Sequence, residues 1–273
     1  MKIFLGPAGV GIGSKDRSSI GGIKYVKEIG LNCMELEFVR GVKMSREMAK
    51  EAGEISKELG IQLTVHAPYF INLLSEKKST VEESKKRIFE SLDRAELMQA
   101  KAVVVHAGYY GNLSREEAFE KMKKVTEEIL DEMKKKGIKT LLAYETMAKE
   151  SQFADLEELL KLKKEVKSKL LTVNIDFAHL FVRNNGKINY GEILEKVKDF
   201  EHLFTHFSNV KYNVNSKKFL DVHVPINSHP PFKPLAEEIL KRKIDVTIIS
   251  ESPVLEQDSL KMLKIFEELG AKI

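Results

Sequence analysis

Eight times along this 273-residue chain a short apolar run of strand length gives way to a stretch with helical apolar spacing, and few folds accommodate that alternation. The strand-like runs fall near residues 2–5, 32–38, 61–66, 101–106, 139–145, 171–176, 202–208 and 245–251. Helical patterns follow near 18–29, 45–59, 78–99, 114–136, 154–168, 190–200, 232–242 and 256–269, with spacings such as Ile88, Leu92 and Ala95. Gly30, Gly60 and Gly137 stand just past helices, where a left-handed residue ends the helix without steric cost. Strands alternating with helices make a parallel sheet, and eight such units close most simply on themselves. The expectation is an α/β fold, a (β/α)8 TIM barrel in a single domain spanning residues 1–273. The chain has no internal sequence repeat, low-complexity segment or interdomain linker. Its longest departure from the rhythm is Asn209 to Pro231, polar and proline-bearing, read as a loop after the seventh strand. Long loops in compact domains are usually functional.

Composition narrows the class. A hydrophobic content of 42% with 16 Gly and 7 Pro describes a soluble globular chain able to bury a large core. The start, Met1 to Leu5, is basic then apolar, but Gly6, Gly9, Gly11 and Gly13 interrupt it before a signal-peptide core or membrane span could form. A cytoplasmic protein without a membrane partner is expected. Cys33 is the only cysteine and lies in an apolar strand, which excludes an intrachain disulfide and any multi-thiolate metal site. The formal charge of +4 permits a polyanionic partner without demanding one.

Nine residues with metal-ligand chemistry sit where strands run out into loops: His66, His106, Glu145, Asp176, His179, His206, Asp221, His223 and Glu251. Five directly follow an apolar run, as Val103-Val104-Val105 leads to His106 and Leu141-Leu142-Ala143-Tyr144 to Glu145. Active sites of such barrels form at the C-terminal ends of the strands, where these residues and the Asn209–Pro231 segment would converge. Glu145, Asp176 and Glu251 packed together without a counter-charge would repel, each raising the others' pKa, so a cation or a shared proton is required. His179 follows Asp176 by one turn, and Asp221-Val222-His223 puts an acid and an imidazole on one side of an extended segment, spacings suited to further ions. Any one of these residues alone has an ordinary structural reading; the convergent set does not. Imidazole and carboxylate donors point to zinc, manganese or iron. Gly6 to Gly13 could form a phosphate nest but lacks a following Gly-Lys-Ser/Thr, and a plain flexible loop is the better reading. His202 and His229 fit no ligand spacing, and Lys134-Lys135-Lys136 reads as a solvated helix end.

The motifs around these residues resemble the endonuclease IV family of apurinic/apyrimidinic endonucleases, over nearly the whole chain. They are His66-Ala67-Pro68-Tyr69 with Ile71-Asn72-Leu73, Val105-His106-Ala107-Gly108, Glu145-Thr146-Met147-Ala148, Asp176-Phe177-Ala178-His179, His206 with Lys211, Asp221-Val222-His223, and Glu251-Ser252-Pro253. The resemblance implies a (β/α)8 barrel with three zinc ions. His66 and His106 would hold one and share Glu145 with a second, which Asp176, His206 and Glu251 complete; His179, Asp221 and His223 would hold the third. It further implies hydrolysis of the phosphodiester 5′ to abasic sites in duplex DNA, by a monomer, with Glu145 as the catalytic bridging carboxylate. Tyr69 matches a residue that enters the DNA at the lesion, and Arg40 and Lys43 are candidates for backbone contact. Three loops depart from the family pattern. Gly6-Pro7-Ala8-Gly9-Val10 stands where the family reads Gly-Ala-His-Val-Ser. A Gly-x-Gly after Asp221-Val222-His223 is replaced within Pro225 to Pro231, and Lys149-Glu150-Ser151 stands in place of glycines. The alternative is a xylose isomerase-like sugar isomerase or epimerase holding one divalent ion through Glu145, Asp176, His206 and Glu251, which has no need of His66, His106, Asp221 and His223.

Overall fold

The structure, a computed structural model, describes all 273 residues. In chain order its elements are β1 (Ile3–Pro7), α1 (Ser19–Glu28), β2 (Cys33–Glu37), α2 (Arg46–Leu59), β3 (Gln62–His66), α3 (Lys78–Leu97) and β4 (Ala102–Val105). There follow α4 (Arg115–Lys135), β5 (Leu141–Glu145), α5 (Leu156–Val166), β6 (Leu171–Asp176), α6 (Phe177–Arg183), α7 (Tyr190–Lys196) and β7 (Leu203–Phe207). The chain ends with β8 (Asn209–Asn213), β9 (Lys218–Val224), α8 (Phe232–Arg242), β10 (Val246–Ser250) and α9 (Glu256–Glu268). Eight strands form one sheet in the order β1-β10-β7-β6-β5-β4-β3-β2, every ladder parallel.

The sheet curls until its first and last strands meet. Gly9 N–H donates to Glu35 O at 2.8 Å, and the Asn32 side chain brackets β1, accepting from Leu5 N–H at 2.7 Å and donating to Ile3 O at 2.9 Å. Gly6 makes this closure possible: a Cβ there would lie 1.7 Å from Cys33 O. The main apolar core lies between barrel and helices, where residues such as Leu5, Ile23, Leu63, Ile88, Val103 and Leu142 pack. Inside the barrel a small plug of Ala102, Val104, Ala143 and Phe204 fills the middle and leaves the C-terminal mouth to polar side chains. Helix starts follow local chemistry: Ser114 and Asp155 each close a capping box with the glutamate three residues on, Glu117 and Glu158. Gly60 ends α2 at φ +69°.

Two elements depart from the sequence reading. Phe177–Arg183 is a separate short helix begun by Asp176, whose carboxylate accepts from His179 N–H at 2.7 Å as an N-cap. The Asn209–Pro231 segment, expected as a loop, contains the antiparallel hairpin β8–β9, turned by Asn213 accepting from Asn215 and Ser216 N–H. Phe219 anchors the hairpin on Phe181 of α6 with ring centroids 4.6 Å apart. No helix is long and apolar enough to cross a membrane.

Replacing Gly6 by Ala forces β1 and β2 apart at the seam. The expected result is a loss of about 1–3 kcal/mol, read as a lower denaturant midpoint at unchanged slope; an unchanged midpoint would mean that the seam does not need the close approach.

Candidate metal centre

Strand alternation builds the site. Side chains along a strand face opposite sides in turn, and the parallel register aligns the inward positions. Glu37 pairs with His66, His66 with Val104, Val104 with Ala143, Glu145 with Asn174, Asp176 with His206, and His206 with Ile249. The next inward positions beyond Val104 and Ile249 are His106 and Glu251. Glu37, His66, His106, Glu145, Asp176, His206 and Glu251 therefore ring the C-terminal mouth, while α6 supplies His179 and the β8–β9 hairpin carries Asp221 and His223 over it.

Glu145, fully buried, is the hub. Its Oε2 lies 3.3 Å from His66 Nε2 and 2.7 Å from His106 Nε2, and its Oε1 lies 2.8 Å from His206 Nδ1. His206 Nδ1 is also 3.2 Å from Glu251 Oε1, and His179 Nδ1 is 3.5 Å from Asp176 Oδ2. Three groups have donor atoms within 4.8 Å of one another: His66, His106 and Glu145; Glu145, Asp176, His206 and Glu251; and Asp176, His179 and His223. Three histidines have their tautomer set by a carbonyl, which can only accept. His66 Nδ1 donates to Ala67 O at 2.8 Å, His179 Nδ1 to Thr146 O at 2.9 Å and His223 Nδ1 to Glu251 O at 3.1 Å. In each, Nε2 is the nitrogen that a metal would take.

The third group differs from the expected set of His179, Asp221 and His223. Asp221 lies outside the grouping and Asp176 inside it. The hairpin leaves Asp221 partly exposed between two cations, with Oδ1 3.3 Å from His179 Nε2 and Oδ2 3.7 Å from Lys149 Nζ.

Two acids, one buried and one partly buried, escaped the sequence reading. Glu35 and Glu37 face the mouth from β2, and Glu35 is fully buried, accepting from Thr64 Oγ1–H at 2.8 Å through Oε2, with Oε1 2.9 Å from His206 Nε2. The signal was present: two acids at alternate positions in the otherwise apolar run Cys33 to Phe38.

The charges only partly neutralise one another. Burial alone would raise the Glu145 carboxyl, but the imidazoles of His206 and His106 hold it well below the usual carboxylate range. Burial works against the charged form of His66, yet Glu145 and Glu37 outweigh it and lift the imidazole to about 10. Glu251 is pushed well up by burial, with Glu145 adding to it, and burial raises Glu37 to about 7. Asp176 Oδ2 and Glu37 Oε1 are buried without a hydrogen-bond partner. Such orphaned acceptors beside imidazoles fit a cation-binding centre.

Above the centre lies a cavity of about 560 Å³ lined by Tyr69, His106, Tyr109, Lys149, Asp221 and Glu251 among others. Tyr69, 49% exposed, stacks on His106 at 5.6 Å and meets the edge of His66 at 5.5 Å. Arg40 and Lys43 are exposed on the loop after β2, along an adjoining depression that shares Glu37 and Val39 with the cavity. The glycine-rich loop is no open nest, because Ile12 and Gly13 N–H both donate to the Glu256 carboxylate. His202 bonds Thr247 at 2.7 Å and His229 stacks on Phe181, both away from the centre.

A family model described as xylose isomerase-like TIM barrel matches residues 23–269. The chain belongs to the xylose isomerase-like TIM barrel family. Among curated relatives, an uncharacterised protein of Methanocaldococcus jannaschii is 31% identical, covering 98% of both chains. A protein of Carboxydothermus hydrogenoformans named "Probable endonuclease 4" is 23% identical, covering 76% of each. Solved members of similar fold include a D-tagatose 3-epimerase-like protein (TM-score 0.74, 20% identity, 99% and 100% coverage). Endonuclease IV of Thermus thermophilus aligns at TM-score 0.70 with 18% identity, covering 98% of each chain. At those identities the structures speak for the barrel fold common to the xylose isomerase-like family.

The raised groups make a pH prediction for chelator-stripped protein. The folded state holds extra protons on Glu37, between its ordinary value and about 7, and on His66, between its ordinary value and about 10. Stability from both falls as pH rises through those windows. The melting temperature should therefore drop between pH 6 and pH 10 and recover when a divalent metal is restored; a rise across that range would contradict the assignment.

Proposed function

We propose that the protein is a zinc-dependent endonuclease of the endonuclease IV type, hydrolysing the phosphodiester 5′ to abasic sites in duplex DNA. One observation carries the reading. The two oxygens of Glu145 face two different donor groups, Oε2 toward His66 and His106 and Oε1 toward His206, and Asp176 links the second group to His179 and His223. A bridging carboxylate within a continuous array of ten-odd donors suits several ions side by side rather than one. His66, His106 and Glu145 would hold one ion, Glu145, Asp176, His206 and Glu251 a second, and Asp176, His179 and His223, with Asp221 beside them, a third. Divalent ions there supply Lewis acidity toward phosphoryl oxygens.

The remaining roles belong to the chain's own side chains. Glu145, locked from both sides by imidazoles, keeps the reacting face of the array rigid. Tyr69 stands half-exposed above His106, placed to press against an unpaired nucleotide position and keep solvent from the mouth. Arg40 and Lys43 lie at the rim where a phosphate backbone would pass. The names of the curated relatives called "Probable endonuclease 4" agree with this reading.

A second reading rests on the group Glu145, Asp176, His206 and Glu251, which by itself supplies a complete one-ion site for a ketose epimerase or isomerase. The epimerases among proteins of similar fold keep it in view.

Metal analysis separates the two: more than two zinc ions per chain supports the nuclease, and a single manganese or magnesium ion supports the isomerase. A duplex carrying one abasic analogue should be nicked 5′ to the lesion by wild-type protein, and chelation should stop it. Glu145→Gln should abolish nicking with the circular dichroism spectrum unchanged, whereas undiminished nicking would remove Glu145 from the chemistry. A duplex that is bound but never cut, with zinc present, would instead mark a lesion-binding protein.

A further inference from the structure

His206 is the one histidine at the centre of the mouth with a carboxylate rather than a carbonyl at each ring nitrogen. Nδ1 faces Glu145 Oε1 at 2.8 Å and Glu251 Oε1 at 3.2 Å, while Nε2 faces Glu35 Oε1 at 2.9 Å on the opposite side. Glu35 is fully buried, and its second oxygen is pinned by Thr64 Oγ1–H at 2.8 Å across the β2–β3 register, so the carboxylate has little freedom to leave. Neither Glu35 Oε1 nor His206 Nε2 has a hydrogen-bond partner elsewhere or in the other. The two atoms are close but not aligned as a hydrogen bond, and polar contacts in unliganded sites commonly tighten only once the ligand is bound.

We propose that Glu35 is the positioning residue of the group formed by Glu145, Asp176, His206 and Glu251. By accepting the Nε2 proton of His206 it fixes the ring's tautomer and leaves the Nδ1 lone pair for a cation. The inference rests on the metal-centre reading above and extends it to a strand, β2, that contributes no member of the three donor groups. A carboxylate behind a ligating imidazole both orients the ring and strengthens it as a donor. The alternative arrangement, with the proton on Nδ1 where the ring meets Glu145 Oε1 at 2.8 Å, would leave Nε2 and Glu35 Oε1 as two buried acceptors face to face. Thr64 holds Glu35 by a hydrogen bond, and Glu35 would pass that anchoring on to His206 at the mouth.

The test uses zinc-loaded full-length protein. Long-range proton–nitrogen correlation spectra of wild type, with the His206 signals assigned by their loss in His206→Asn, should show Nε2 protonated and Nδ1 carrying the metal. In zinc titrations against a chromophoric chelator, Glu35→Leu should weaken one ion roughly 10- to 100-fold and leave the others in place. Glu35→Gln, which keeps an acceptor oxygen but no charge, should fall between the two. A metal on Nε2, or wild-type affinity for every ion in both variants, would overturn the proposal. Should Glu35→Leu fail to fold, the wild-type spectrum and the Gln variant still decide. Wild type that takes up no zinc would sink the metal-centre reading and the role of Glu35 with it, whereas full wild-type loading with indifferent Glu35 variants would sink the role of Glu35 alone.

Discussion

A parallel strand sends its side chains alternately to opposite faces, and closing eight strands turns that parity into a ring. In this protein the inward parity at the C-terminal end is occupied by acids and imidazoles on or just past seven strands, from Glu37 of β2 and His66 of β3 to His206 of β7 and Glu251 after β10. A slip of one residue in any strand would turn its donor out toward the helices. The seam between β1 and β2, drawn tight by Gly6 and the Asn32 side chain, is therefore part of the site as much as of the fold, because it brings Glu35 opposite His206.

Concentrating this charge out of water is costly, and the structure offsets it in layers. Imidazoles hold Glu145 ionised, carboxylates hold His66 and His206 protonated in the absence of metal, and Glu37 and Glu251 are left pushed upward by burial. Such a cluster is frustrated without a cation: Asp176 Oδ2 and Glu37 Oε1 are buried without a hydrogen-bond partner. The middle of the barrel below it is sealed by Ala102, Val104, Ala143 and Phe204, which keeps the polar layer at the mouth. Stability and metal chemistry are thus set by the same few side chains.

Most strand ends were legible because five of the ligand candidates directly follow an apolar run, as Glu145 follows Leu141 to Tyr144 and Asp176 follows Val173 to Ile175. The β8–β9 hairpin was not, because its polar residues and turn mask the pairing of Val210 with His223 and Tyr212 with Phe219. Helix α6 was hidden for a different reason: seven residues carry too little periodicity, and its start depends on Asp176 acting as an N-cap at a strand end. Glu35 and Glu37 were overlooked because a short apolar run reads as strand whatever its interruptions. Only the register shows that both acids point inward.

By itself the sequence determined the eightfold alternation, the polarity of the barrel and the residue types available at its mouth, since those follow from local hydrophobic period and from what ends each run. Which donors lie close enough together to share an ion was decided by the tertiary structure alone. Asp176 joins His179 through one turn of α6 and His223 through the β8–β9 hairpin, while Asp221 sits partly exposed between His179 and Lys149. Glu35 meets His206 because barrel closure sets β2 across from β7, residues 171 positions apart in the chain. Distances of that kind depend on register and closure, which no local pattern encodes.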